Sequence, residues 1–277
     1  MTSEGQGFEI ERQGDVVLIR FADPATRNAL SMSMADGLLQ HLRASEKEAR
    51  AIVIAGDERA FCSGAKLNSD EASNRRGSFD VGLRLENHFN PLMMALRDLR
   101  IPLITAVRGA AAGIGASLAL IGDLIIAGPN AYFQQAFGRI GLIPDGGSPW
   151  LLVNAIGRIR AMELLLLGDS LPAQQAYEWG LVTRLVDDEE VEPVAMSLAH
   201  RLAEGPAMAI ALTRRAAWAA AEASFEAQLQ LERQLQTVAG YHPDFAEGVS
   251  AFLQKRAANF APTLTPEEHD IITRLSN

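Results

Sequence analysis

Residues Pro102 to Gly128 read PLITAVRGAAAGIGASLALIGDLIIAG, and this stretch decides the fold class. Pro102 to Gly109 is a largely apolar run, with Thr105 and Arg108 its polar members, closed by glycine, as expected of a buried strand. Leu124 to Gly128 is a second such run. The small-residue segment between them, from Gly115 to Leu120, suits a short buried helix. Working outward, Arg50 to Gly56 (RAIVIAG) repeats the strand pattern. Phe8 to Glu11 and Val16 to Phe21 can pair as a hairpin across Gln13-Gly14-Asp15. Ser31 can cap a helix through Leu38, Leu39 and Leu42, and Phe89 to Leu99 is also helical in pattern. Strands alternating with helices predict an α/β domain with parallel pairing.

Past Leu185 the pattern changes. Val191 to Leu202, Ala207 to Ala223, Phe225 to Val238 and Asp244 to Ala258 read as helices, broken at Gly205-Pro206 and Gly240-Tyr241-His242-Pro243. The organisation expected is a core over residues 1–200 followed by a helical region over 201–277. Ser69 to Asp80 is polar and without period, and reads as a loop. No sequence repeat stands out.

Composition narrows the function classes. The chain has 277 residues, 48% of them hydrophobic and 21% charged, the profile of a folded domain with a large core. One cysteine, Cys62, excludes an intrachain disulfide, and beside Phe61 it reads as a core residue. A net charge of −9 argues against a general nucleic-acid binder. The first residues show no apolar targeting segment, and no run is long enough to span a bilayer, so a cytoplasmic protein with no membrane partner is expected. The five histidines are scattered without metal-ligand spacing; they read as surface residues, and no metal site is expected.

Three glycine-containing elements could carry chemistry. FCSGAKL at 61–67 and GAAAGIGASL at 109–118 each follow a strand. Backbone N–H groups from two such loops could converge on one oxyanion, although either loop alone reads better as a tight turn with small residues for helix packing. The second lacks the glycine spacing of a dinucleotide site and the Lys-Ser/Thr pair of a phosphate loop. The third element, GRIGLIPDGG at 138–147, sets Asp145 in an apolar, glycine-flanked turn. Such an aspartate is either a turn residue or a base in a dry site, and composition alone favours the turn.

The order of motifs adds a resemblance. RNAL at 27–30, FCSGAKL at 61–67, the stretch from AVRG at 106–109 through IGD at 121–123, GLIPDGG at 141–147, RAME at 160–163, AYEWGLV at 176–182 and FLQKR at 252–256 together resemble the enoyl-CoA hydratase/isomerase (crotonase) superfamily over nearly the whole chain. That resemblance implies a spiral of ββα units with a helical C-terminal region that builds trimers or dimers of trimers. It implies an acyl-CoA thioester substrate, with coenzyme A part of the substrate and no resident cofactor. It places two oxyanion-holding N–H groups at Ala65 and Ile114, and Arg27, Ala29, Lys66, Leu67, Phe137 and Lys255 around coenzyme A or the acyl group. The acyl pocket is expected between the 69–80 loop and the helix from Val81 to Leu96.

Two departures bear on the reaction. Hydratases of this family use two glutamates, and their positions hold Ser117 and Phe137 here, neither of which can serve as a carboxylate acid or base. Several isomerase-type members carry their acid in the Pro-Asp/Glu-Gly turn, where this chain has Asp145. The resemblance therefore reverses the reading of Asp145 and implies an enoyl-CoA double-bond isomerase with one aspartate base. The alternatives are an enoyl-CoA hydratase in the broad sense, and an acyl-CoA-binding scaffold with a degenerate site.

Overall fold

A computed structural model of the chain describes residues 7–67, 80–260 and 264–274. Most of the expected 69–80 loop lies outside the described residues. The hairpin forms as β1 (Phe8–Gln13) and β2 (Val16–Phe21), antiparallel with Phe8 opposite Phe21. Helix α1 (Met32–Ser45) follows, its first turn capped by Ser31, whose hydroxyl accepts from the Met34 N–H at 3.1 Å. Next come β3 (Ala51–Ala55), β4 (Ala60–Cys62), and a helical run of α2 (Val81–Arg84), a π turn (Leu85–Phe89) and α3 (Asn90–Arg97). Then β5 (Leu103–Val107), β6 (Ala110–Ala112), α4 (Ile114–Leu120), β7 (Leu124–Ala127), β8 (Tyr132–Gln134) and a 3₁₀ turn (Ala136–Ile140) lead to α5 (Ser148–Leu167).

Beyond α5 lie β9 (Ser170–Pro172), α6 (Ala173–Glu178) and β10 (Arg184–Leu185). Five further helices complete the order: α7 (Val191–Ala203), α8 (Ala207–Ala220), α9 (Phe225–Tyr241), α10 (Pro243–Gln254) and α11 (Pro266–Arg274).

Two sheets result. One has the order β1-β2-β3-β5-β7-β10, parallel from β2 onward; the other has the order β4-β6-β8-β9. Each turn of the chain gives one strand to each sheet: β3 then β4, β5 then β6, β7 then β8. This is the ββα spiral that the resemblance implies. It is a repeat of structure without a repeat of sequence, and the second sheet's three-residue strands are too short to show periodicity.

The continuous apolar runs are explained by burial on both faces. Ile52 and Ile54 of β3, with Val17 and Ile19 of β2, face the main core, while Ala51, Val53, Val16 and Leu18 face α7. Helix α7 answers with Val191, Ala195, Ala199 and Ala203, a stripe at helical spacing that lies flat on the sheet. Fully burying one such valine or isoleucine contributes roughly 1.5–3 kcal/mol.

A third cluster joins α8, α9 and α11 through Met208, Leu212, Leu235 and Ile272. The helical region is also tied to the core by Arg214, whose Nε donates to Asp123 Oδ2 at 2.6 Å. The same carboxylate oxygen accepts from the Leu103 N–H at 2.8 Å.

Candidate active site

Strands β4 and β6 are parallel neighbours, with Ala60 opposite Ala110 and Cys62 opposite Ala111. The loops that leave them therefore emerge side by side. Gly64 has φ +114° and Gly113 has φ +53°, and a methyl group on Gly113 would lie 3.6 Å from the Gly64 Cα. Both φ values favour glycine, and a methyl group on Gly64 would also press on the Ala112 carbonyl oxygen at 3.2 Å. Behind them, a methyl group on Gly115 would fall 2.1 Å from the Cys62 carbonyl oxygen, so α4 is packed directly onto β4.

This contact brings Ala65 and Ile114 together. Leu30 forms a parallel bridge with Ala65, donating to the Gly64 carbonyl at 2.8 Å and accepting from the Lys66 N–H at 2.9 Å. Successive N–H groups of an extended segment point to opposite sides, so the Ala65 N–H is turned away from Leu30. Ile114 is the first residue of α4, where N–H groups have no partner within the helix. Among the described residues neither N–H has a hydrogen-bond acceptor. The Ile114 side chain is buried in the core.

The Asp145 turn rests on the same helix. Gly146 (φ +62°) and Gly147 (φ +78°) bend the chain into α5, and a methyl group on Gly146 would lie 2.9 Å from Ser117 Cβ and 3.1 Å from Ile114 Cγ1. The backbone carbonyl of Asp145 accepts from Ser117 Oγ at 3.0 Å, Ser148 Oγ at 3.0 Å and the Ser148 N–H at 3.2 Å. With its backbone held three ways, the side chain is left over: Oδ1 of Asp145 is buried and has no hydrogen-bond partner. Burial pushes this carboxyl up to about 6, against the opposing pull of the Arg84 guanidinium.

The other expected positions divide. Phe137 is buried, and its ring edge comes within 3.7 Å of where a Gly113 methyl group would sit, so it walls the same space. Arg27 is exposed and left-handed (φ 55°), and Lys66 is half-exposed and paired with Asp23 at 3.3 Å. The Ala29 N–H is taken by Thr26 Oγ1 at 3.2 Å, which leaves its carbonyl for any base it meets. Leu67 is exposed at the edge of the described residues. Lys255 is the left-handed residue that ends α10; it is exposed, and no hydrogen bond or ion pair ties it to the other positions.

Sequence reasoning missed three residues. Asn28, fully buried with φ 59°, braces the loops by donating to the Ala60 carbonyl at 2.8 Å and accepting from the Asp23 N–H at 2.9 Å. Ser148 holds the Asp145 carbonyl. Arg84 is buried over the Phe89 ring, although its place in a polar-looking helix start gives no sign of burial in the sequence.

One reading is corrected. His242 is not a surface residue: it is buried at the start of α10, where Nδ1 accepts from the Asp244 N–H at 3.2 Å and Nε2 lies 3.0 Å from Glu268 Oε1. A helix cap needs an acceptor there, and the imidazole supplies it. The side chain of His269 lies outside the described residues. Cys62 is buried, and burial pushes its thiol up to about 11, which leaves it inert as a nucleophile. Among the described residues no group of histidine, cysteine and carboxylate side chains could hold a metal ion. No helix among them is long and apolar enough to cross a membrane.

Known proteins match this architecture along nearly its full length. The family described as enoyl-CoA hydratase/isomerase matches residues 11–263. The 1,2-epoxyphenylacetyl-CoA isomerase of Escherichia coli (strain K12) is 41% identical over 247 residues, covering 88% of this chain and 94% of that protein. The 2,3-dehydroadipyl-CoA hydratase of the same organism is 34% identical over 253 residues, covering 91% and 97%. The crystal structure of an enoyl-CoA hydratase from Polaromonas sp. JS666 superimposes with a TM-score of 0.86 at 31% identity, covering 92% of this chain and 99% of that one. With the ββα spiral, the helical C-terminal region and these matches in hand, the chain belongs to the enoyl-CoA hydratase/isomerase, or crotonase, family of enzymes.

Proposed function

We propose that the protein is an acyl-CoA double-bond isomerase that works through an enolate, with Asp145 as its single base. The thioester oxygen accepts hydrogen bonds from the Ala65 and Ile114 N–H groups, which stabilise the negative charge as it develops. Asp145 takes a proton from one carbon of the acyl chain. The electron pair delocalises onto the thioester oxygen, the double bond moves, and the same carboxyl returns a proton to a second carbon. One shuttling group suffices, whereas adding water across a double bond calls for a second acid–base group.

The observation that carries this reading is the buried, unpartnered Oδ1 of Asp145, in a turn packed on the helix whose first N–H, like that of Ala65, has no acceptor among the described residues. Ser117 and Phe137 fill the positions where hydratases carry glutamates. The name of the 1,2-epoxyphenylacetyl-CoA isomerase, a relative at 41% identity, supports isomerisation of a CoA thioester as the reaction class.

Coenzyme A lies along Arg27, Ala29, Lys66 and Leu67, and Lys255 reaches it from a neighbouring copy. Residues 1–200 carry the site and 201–277 carry assembly into trimers or dimers of trimers in the cytoplasm. Exposed apolar side chains support the assembly, with Phe245 at 59%, Leu253 at 74% and Phe252 at 82%. Leu235 and Leu231 do not contribute to it, because they pack within their own chain.

The test is a panel of 2-enoyl- and 3-enoyl-CoA thioesters in D₂O, with products read by mass spectrometry. Interconversion of the two with deuterium uptake supports the reading. A 3-hydroxyacyl-CoA product makes the protein a hydratase, and tight binding without turnover makes it a scaffold.

A further inference from the structure

Helix α5 is not one continuous rod. Gly157 interrupts it with φ 77° and ψ 157°, a backbone conformation open almost only to glycine. The break uncouples the two parts of the helix, so residues 148–156 take their place from the contacts along their flanks. Leu152 and Ile156 face the main core. The Trp150 ring stacks on Trp218 of α8, with ring centres 5.5 Å apart and planes 16° from parallel.

This first part of α5 carries the Asp145 turn. Ser148, its first residue, donates to the Asp145 carbonyl through its N–H at 3.2 Å and its hydroxyl at 3.0 Å. The Leu151 N–H closes the next turn on the Gly147 carbonyl at 3.0 Å. A shift of residues 148–156 therefore carries the backbone of Asp145 with it.

Trp218 is anchored independently of α5. It packs against the main core. One helical turn before it on the same face of α8, Arg214 is 7% exposed. Its Nε donates to Asp123 Oδ2 at 2.6 Å, and its two Nη groups donate to the Leu96, Arg97 and Leu99 carbonyls where α3 ends. Helix α8 is thus fixed at the end of α3 and presents a ring to the start of α5.

We infer that Trp218 is a positioning residue of this site: stacked on Trp150, it fixes the first part of α5 and with it the turn that aims the Asp145 carboxyl. The helical C-terminal region thereby sets the geometry of a base that lies in the core. A displaced base loses the alignment that proton transfer needs, while the thioester oxygen stays with N–H groups of other loops. The inference rests on the proposed role of Asp145 as base, and it adds a residue that touches no reacting atom.

The experiment compares Trp218→Leu, which removes the ring and keeps apolar bulk, with Trp218→Phe, which restores a ring. In Trp218→Leu, kcat for exchange of the substrate α-proton should fall roughly tenfold with KM changed by less than about twofold. Trp218→Phe should recover most of the rate. Because the effect passes through Trp150, the double variant with Trp150→Leu should be no slower than the slower of the two single variants. Read without turnover, amide hydrogen exchange in residues 150–156 should quicken several-fold in Trp218→Leu while residues 158–167 keep their protection.

Where Trp218→Leu does not fold, Trp150→Leu breaks the same stack from α5, and the same rate and amide readings decide. A rate that falls only in step with the folded fraction, losses that multiply in the double variant, or unchanged amide exchange in residues 150–156 overturns the inference. Full substrate exchange in Asp145→Asn instead overturns the role of Asp145, and the amide reading still decides whether Trp218 holds the turn.

Discussion

The hydroxyl of Ser117 donates to the backbone carbonyl of Asp145 at 3.0 Å. Ser117 thus serves to fix the turn that carries Asp145. A serine in this place bonds the backbone and leaves the carboxyl untouched, and the methyl space above Gly146 is already occupied by Ser117 itself.

If Asp145 is the base, Asp145→Asn should keep the fold, because the side chains are nearly isosteric. CoA thioester affinity should survive, since the oxygen is held by backbone N–H groups. Isomerisation and exchange of the substrate α-proton with D₂O should both fall roughly 10²- to 10⁴-fold. Full exchange activity in this variant would return Asp145 to the role of a turn residue.

The pH dependence follows from the same carboxyl. With its midpoint pushed up to about 6, kcat/KM should rise with pH through that value and level off above it. Stability runs the other way. The folded state binds more protons than the unfolded one between the ordinary aspartate midpoint and about 6, so this group's contribution is fully present below the ordinary value and is lost as pH rises through 6. Asp145→Asn should therefore melt at or above the unaltered protein at pH 7.5, with the difference closing near pH 4. A variant that melts lower at pH 7.5 and equally at pH 4 would contradict the burial argument.

Ser117→Ala removes one of three donors to the Asp145 carbonyl. A loss of about 1 kcal/mol in denaturant unfolding and a rate change under tenfold are expected. Gly146→Ala should do more damage to the reaction than to the fold. Its methyl group would press on Ser117 at 2.9 Å in a conformation (φ +62°) that alanine resists, displacing the carboxyl while the N–H pair stays in place. Coenzyme A thioesters should still bind, and exchange should fall more steeply than in Ser117→Ala; equal rates in the two variants would count against the turn as the device that aims Asp145.

Gly115→Ala tests the seam between the two loops. Its methyl group would fall 2.1 Å from the Cys62 carbonyl oxygen, so β4 and α4 must part. A stability loss of at least about 3 kcal/mol is expected, measured by denaturant unfolding or by loss of soluble protein. Near-native stability would mean that the loops tolerate separation, and the pairing of Ala65 with Ile114 would lose its structural basis.

How much of this was legible in the chain differs element by element. AIVIA, and LITAV with Thr105 its one polar residue, announce strands buried on both faces, because side chains alternate across a sheet and a run without alternating polar residues has no polar side to show to water. The helical stripe of α7 and the cap at Ser31 are equally local signals. The motif order from Arg27 to Arg256 carried the family and the positions of Ala65, Ile114 and Asp145. Tertiary structure alone decided what those positions can do. The approach of Gly64 to Gly113 depends on the pairing of β4 with β6, strands of three residues each that show no period. Burial of Arg84 against Phe89, and of His242 between Asp244 and Glu268, depends on which elements come to rest over them. A side chain's charge is written in its own residue, but the environment that tunes it belongs to neighbours distant in the chain, and in this protein that environment turns a glycine-flanked aspartate from a turn residue into a candidate base.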